Sequence, residues 1–349
     1  ALLFFNLDHP VDITVGKRHH PSSLGYARQA KAAGAWIDIE KPFWWDVPMW
    51  IAHGIGDSIG IAQNHMHRGG VLDSEAWGKP RDRNRHPGAH GNGRWTQEIY
   101  YHLLNCGIRL PPSAGSASGV LANPVGYNRA YVHLDGPPTW EKWFAGLRAG
   151  RLFVSNGPLL RVRANGQLPG HIFRADAPSL DLMIDGRLDS RDPIAAVELV
   201  RNGRVERITL PARVTMQESG WFLVRALADV AYTFRFASTG PFYVELGNAP
   251  AKPEHASARF FVEWCDERLG ALNANQNLTA SQREDVLQPW REARAFWLAK
   301  FDQSTPPGEL RGEVVDATTG VPLAARIYLR DEFNRWHFVE SATAGGSAV

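Results

Sequence analysis

An α/β layer or barrel followed by an antiparallel β-sandwich, a helical hairpin and the start of a second β-module is the fold class this sequence predicts. Three observations predict it. Up to about residue 157, short strand-like runs alternate with helical patterns. Beyond Gly157 the pattern turns to short alternating strands separated by turn residues, and over 254–301 it turns to two amphipathic helices. With 349 residues, 44% hydrophobic and 21% charged, the chain is long enough for several cores and composed like a globular protein.

The first segment, 1–157, is built of strand–helix units. SSLGYARQAKAAGA (22–35) opens on serine caps and carries helix formers until Gly34 stops it; WIDIEKP follows as a strand. Lys41-Pro42 ends that strand, because proline cannot donate to the ladder. PMWIAHGIG (48–56) suits a short helix closed by Gly54 or Gly56, and DSIGIAQNH (57–65) is the next strand. A helix over 96–106, a stop at Gly107 and a strand running into a Gly/Ser loop repeat the scheme. Units of this length imply parallel strands with helices outside, and such folds hold their active groups at the carboxyl ends of the strands. Glu40, His65 and Ser116 fall at or near such ends.

The segment 158–248 begins with an Asn165-Gly166 hairpin turn and continues through SLDLMIDGRL, IAAVELVRNGRVERITL, GWFLVRALA, YTFRFAS and PFYVELG, the pattern of a sandwich. Residue types suited to catalysis are sparse in it. Over 249–305, Phe260, Phe261, Trp264, Cys265 and Leu269 trace one helix face, and a Ser281-x-x-Glu284 capping box precedes Val286, Trp290, Ala293 and Trp297. After Pro306-Pro307-Gly308, ELRGEVVDATTGVPLAARIYLRD reads as two strands joined by a Thr-Thr-Gly turn, the start of a β-module over 306–349.

Lys+Arg 38 against Asp+Glu 36 leaves a formal charge of +2, which gives no field to draw in nucleic acid or an anionic membrane. The apolar runs are too short for a bilayer span. Cys106 and Cys265, far apart in apolar contexts, read as buried free thiols or, in an oxidising compartment, as a pair. Both ends read as cut, inside strand-like and unfinished segments, so any leader would have been lost.

His65 and His67 are an H-x-H pair among thirteen histidines, a weakly specific spacing on its own. On a strand, residues i and i+2 share a face, so both imidazoles could reach one ion. Asp38 and Glu40 share a face by the same rule, and Asp46 follows the Trp44-Trp45 pair. Carboxylates beside aromatics serve as hard-cation ligands or as acids of raised pKa. RDRNRHPGAHGNGR (81–94), with His86 and His90, reads as a lid or substrate loop whose cations suit an anion, or as a solvated loop. His53 reads as a local hydrogen-bonding residue. Gly115, Ser116 and Gly119 allow close backbone approach to a ligand, while nucleotide-loop and nucleophile-elbow motifs are absent from the sequence.

The order GAWIDIEKP, DSIGIAQNH, GSASG…NPVGYNRAYV, then GRLFVSNGPLLRVRANGQLPG (150–170), resembles the CehA/McbA-type, carbaryl-hydrolase-like metallohydrolases of the PHP superfamily over about residues 1–248. The tail, GEVVDATTGVPLAARIYL, resembles a carboxypeptidase-regulatory-like module. The resemblance implies a distorted α/β barrel, here its C-terminal part, with divalent ions (Zn, Mn or Fe) at the strand ends and hydrolysis of an ester, carbamate or phosphoester. It also implies departures. The family's first H-x-H would lie before Ala1. Glu40-Lys41-Pro42 stands where the family commonly has His-Pro, and Gly115-Ser116-Ala117-Ser118 where it commonly has a loop with Asp and His. Either the ion set is rebuilt from Glu40, His65 and His67, or the fold is kept without catalysis as an exported binding or scaffold protein. The hydrolase expectation takes those three as ligands and Asp46 as candidate base. Trp45, Asn64, Arg68, Ser116 and Arg129 would contact a small-molecule substrate, without nucleic acid or a membrane span. The appended β-modules point to a periplasmic or extracellular location.

Overall fold

The computed structural model describes residues 1–119, 123–247, 249–304, 314–323, 328–330 and 336–338. The chain divides into two compact units, Ala1–Thr305 and Pro306–Val349.

The first unit opens with β1 (Leu2–Phe5), α1 (Ser23–Ala32), β2 (Trp36–Ile39), α2 (Val47–Ala52), β3 (Ser58–Ala62), the two-residue strands β4 (Met66–His67) and β5 (Gly70–Val71), α3 (Gly91–Asn105) and β6 (Pro112–Ala114). A four-stranded sheet runs β1-β2-β3-β6. β2, β3 and β6 are parallel, as their helical connections require, and every residue of β2 and β3 is buried, as in sheets covered on both faces. β1 departs from the expected parallel order: it lies antiparallel on β2, with Leu2 opposite Ile39. Gly60 is required where β3 passes under Glu40, since a Cβ there would sit 2.2 Å from the Glu40 carbonyl oxygen.

Ser22 caps α1 through the Leu24 amide, Leu24, Ala27 and Ala30 form its buried face, and Gly34 ends the turn at φ +83°. The third helix begins at Gly91, earlier than the expected 96. Gly93 lets α3 pack directly on Phe234, whose ring carbon would be 2.3 Å from a Cβ. Strand β3 stops at Ala62 instead of running to residue 65. Beyond it the Gln63 side chain accepts from the His65 amide at 2.7 Å, replacing a ladder bond with a local turn.

The sandwich draws in residues before 158. β7 (Arg129–Val132), α4 (Trp140–Arg148) and β8 (Leu152–Ser155) precede β9 (Leu159–Ala164), β10 (Ile172–Ala175), β11 (Leu180–Asp189), β12 (Ile194–Arg201), β13 (Arg204–Arg207), β14 (Ala212–Met216), β15 (Gly220–Ala228), β16 (Phe236–Thr239) and β17 (Phe242–Leu246). One sheet runs β10-β17-β15-β16-β8-β7 with β12 and β13 attached, and the facing sheet runs β14-β11-β9. Stacked Tyr131 and Phe153 rings, 4.7 Å apart, tie β7 to β8. The sandwich is not wholly antiparallel, because β10 joins β17 in parallel.

α5 (His255–Asn273) and α6 (Ala280–Gln303) form the hairpin. Its capping box uses Thr279 and Gln282, not Ser281 and Glu284; the helix starts at Ala280, so Ser281 already lies inside it. One apolar core joins the four-stranded sheet, α3, the hairpin and Trp221, Leu223, Phe234 and Phe236 of the sandwich, while a second fills the space between the two sandwich sheets. Cys106 and Cys265 are free and buried, and burial pushes both thiols up to about 12.

In the second unit, Val315 bridges Pro322 across the Thr-Thr-Gly turn, where Asp316 accepts from the Thr318 and Thr319 amides. β18 (Tyr328–Arg330) pairs antiparallel with β19 (Trp336–Phe338). Residues 306–313, 324–327, 331–335 and 339–349 of the expected module lie outside the described residues.

Candidate functional site

The carboxyl ends of β2 and β3 gather the chemistry of the first segment. Asp38, on β2, is buried and accepts from Ser58 at 2.5 Å and from Ser113. Burial raises its pKa, and the two hydroxyls offset this in part. Glu40 lies just past the strand. Its carboxylate takes the Lys41 ammonium at 2.5 Å on one oxygen and the Trp44 indole N–H at 3.3 Å on the other. Lys41 is itself buried, 4.8 Å from the centre of the Trp44 ring. Burial lowers its pKa while Glu40 acts against that shift.

His65 is buried in the turn after β3, edge-on to Phe43, and its Nδ1 donates to the Ser74 carbonyl at 2.6 Å. Burial, and then the nearby Lys41 charge, lower its pKa. His67 does not share its face. The strand expected to carry both has ended, and His67 sits in the β4–β5 hairpin, where its carbonyl accepts from Thr233 and its ring lies 3.5 Å from the position of a Cβ on Gly70. Among the described residues, no group of three or more His, Cys, Asp or Glu side chains could hold a metal ion. With the Glu40 carboxylate bound to an ammonium and His67 on another element, Glu40, His65 and His67 do not fit a shared divalent ion.

Asp46 and Trp45 line an open cleft of about 750 Å³ beside this cluster, together with Arg18, His19, Trp77 and Arg268. Asp46 accepts from Ser23 at 2.8 Å and from Arg268 at 3.4 Å, so as it stands it is an ion-paired carboxylate. Arg268 lies 5.9 Å from the centre of the Trp45 ring. Buried His19 Nδ1 and Arg268 Nε have no hydrogen-bond partner. Burial and the charges of Arg268 and Arg18 lower the His19 pKa.

The remaining candidates are scattered. Asn64 is buried with an unpartnered Oδ1. Ser116 works inside the fold: its hydroxyl accepts from the Asn128 amide at 2.8 Å, and Asn128 in turn donates to the carbonyls of Gln63, Met66 and Gly115. Arg68 and Arg129 line a separate cleft of about 680 Å³ with Tyr127, Asp192 and Arg235. Three of the four arginines of the 81–94 loop are engaged within the protein: Arg81 with Glu75 and Asp73, Arg83 with Asp73, Arg85 with Glu98. His90 donates to the Val230 carbonyl at 2.7 Å, and His53 to that of Pro289 at 3.0 Å.

Sequence reasoning missed Lys41, Arg268, Arg18, His19 and Trp77. A lysine between Glu40 and a proline at a buried strand end was a readable signal for the first. Arg268 comes from a helix more than two hundred residues away, and nothing local marks it. No protein-family model matches the chain, and neither a curated protein nor a solved structure does. No described helix is long and apolar enough to cross a membrane.

Proposed function

We propose that this chain binds a small molecule at the carboxyl ends of β2 and β3, on a frame related to the PHP-type metallohydrolases whose ion position is taken by an internal ion pair. In this reading the four-stranded sheet is a segment of the distorted barrel. The observation that carries it is the buried Lys41 ammonium 2.5 Å from Glu40, with an open aromatic cleft beside it. A fixed ammonium supplies a positive charge without the open coordination sites that activate water. Elemental analysis after incubation with Zn, Mn or Fe tests this. Well below one ion per chain is expected, together with no hydrolysis of generic ester or phosphoester substrates. One ion per chain, lost on His65→Ala, would overturn it.

The metal-dependent hydrolase remains the second reading, because one observation favours it. The His65 ring is held by a backbone carbonyl next to Glu40, the kind of outer contact that fixes a ligating histidine. It requires activity that falls when either His65 or Glu40 is removed.

A further inference from the structure

We propose that the Trp45–Asp46 cleft binds an acidic saccharide of the hexuronate type; this rests on the small-molecule-binding reading above and names its ligand class. Four indoles line the cleft, those of Trp44, Trp45, Trp50 and Trp77. Trp77 is 77% exposed, so core packing does not account for it. An indole face carries negative quadrupole charge and attracts the weakly positive C–H bonds on the apolar face of a pyranose.

The polar groups match hydroxyls. A sugar hydroxyl both donates and accepts, so vicinal hydroxyls are met by adjacent acceptors and donors. The cleft sets the Asp46 carboxylate 3.4 Å from the Arg268 guanidinium. Two further polar atoms of lining residues, His19 Nδ1 and Arg268 Nε, are buried and have no hydrogen-bond partner. A flat aromatic acid would stack on the indoles and leave those groups unmet, at a cost in affinity.

Charge selects an acid. Among the side chains of the lining, Arg18 and Arg268 face one carboxylate, Asp46, one more cation than anion. Arg18 has no ion-pair partner among the described residues. The same excess disfavours the quaternary ammonium ligands that aromatic cages otherwise take. Arg18 is therefore assigned to the sugar carboxylate, in the fork geometry guanidinium offers.

Calorimetric titration of the whole chain with glucuronate, glucose and 2-naphthoate tests the proposal, with tryptophan fluorescence as a second readout. Glucuronate is expected to bind tighter than glucose, and naphthoate weakest. Trp77→Ala should weaken both sugars by about fivefold. Arg18→Gln should remove the advantage of glucuronate over glucose and leave glucose unchanged. Both side chains are exposed, so the variants retain the fold. Naphthoate binding tightest, with loss in Trp77→Ala, would overturn the saccharide class and leave the binding reading standing. No binding by any probe, with one metal ion per chain lost on His65→Ala, would overturn both.

Discussion

At the scale of single residues, the Glu40–Lys41 pair is the group on which the site turns. Removing one partner of a buried pair strands the other charge, which costs far more than removing both. Lys41→Met should therefore destabilise the chain by about 3 kcal/mol, and adding Glu40→Gln should restore at least half of that, read by chemical denaturation. Glu98 offers a pH test. Burial works to raise its pKa, yet His102, His86 at 2.7 Å and Arg85 at 2.8 Å hold its carboxylate far below the ordinary 4.5. A depressed carboxylate contributes stability above its unfolded pKa and loses it as pH falls below. Denaturation midpoints of the wild type should thus drop on acidification from about pH 5, and Glu98→Gln should flatten that drop while costing about 2 kcal/mol at neutral pH. Sequence reasoning reached Trp45 and Asp46 because a carboxylate following a tryptophan pair at a strand end is a local signal. It misplaced His67 because an H-x-H spacing converges only if the strand continues, and the Gln63 turn follows directly on its end at Ala62.

At the scale of elements, helices and parallel strands were legible wherever periodicity, a cap and a stop residue agreed, as in α1 between Ser22 and Gly34. The order of the sheets was less so. β7 and β8 carry short apolar patterns that suit either layer, and only the pairing of β8 with β16, and of β7 with β8, decides the matter. The Gly/Ser loop looked like a ligand loop, yet it is a structural staple: Asn128 holds it to the turn that carries His65. Asn128→Ala should cost about 2 kcal/mol by leaving buried carbonyls unpaired, and hydrogen exchange should rise over 63–72 and 113–119. The hairpin is anchored by Trp297, fully buried, stacked on Phe261 at 4.2 Å and donating to the Pro48 carbonyl at 3.0 Å. Trp297→Ala should destabilise by about 4 kcal/mol in a thermal or denaturant melt.

Across the whole molecule, the Ala1–Thr305 unit shares one core among segments that read along the chain as three separate modules. Arg225 shows how. It rises from β15, donates to Glu198 at 2.6 Å and reaches Gln97 on α3 at 2.5 Å, joining sandwich to α/β layer through a buried charge. A chain ending at residue 305 should therefore melt in one transition by circular dichroism. One ending at 250, stripped of the hairpin, should lose that cooperativity. The two buried thiols extend this to chemistry in the test tube. Cys106 caps α3 and Cys265 lies within α5, two helices in contact with each other, and both side chains are buried. A thiol held near 12 offers almost no thiolate to an alkylating reagent at neutral pH. The native protein is thus silent to such reagents until it opens. The relative labelling rates of the two cysteines then serve as a built-in clock, telling fraying of the hairpin apart from collapse of the entire unit.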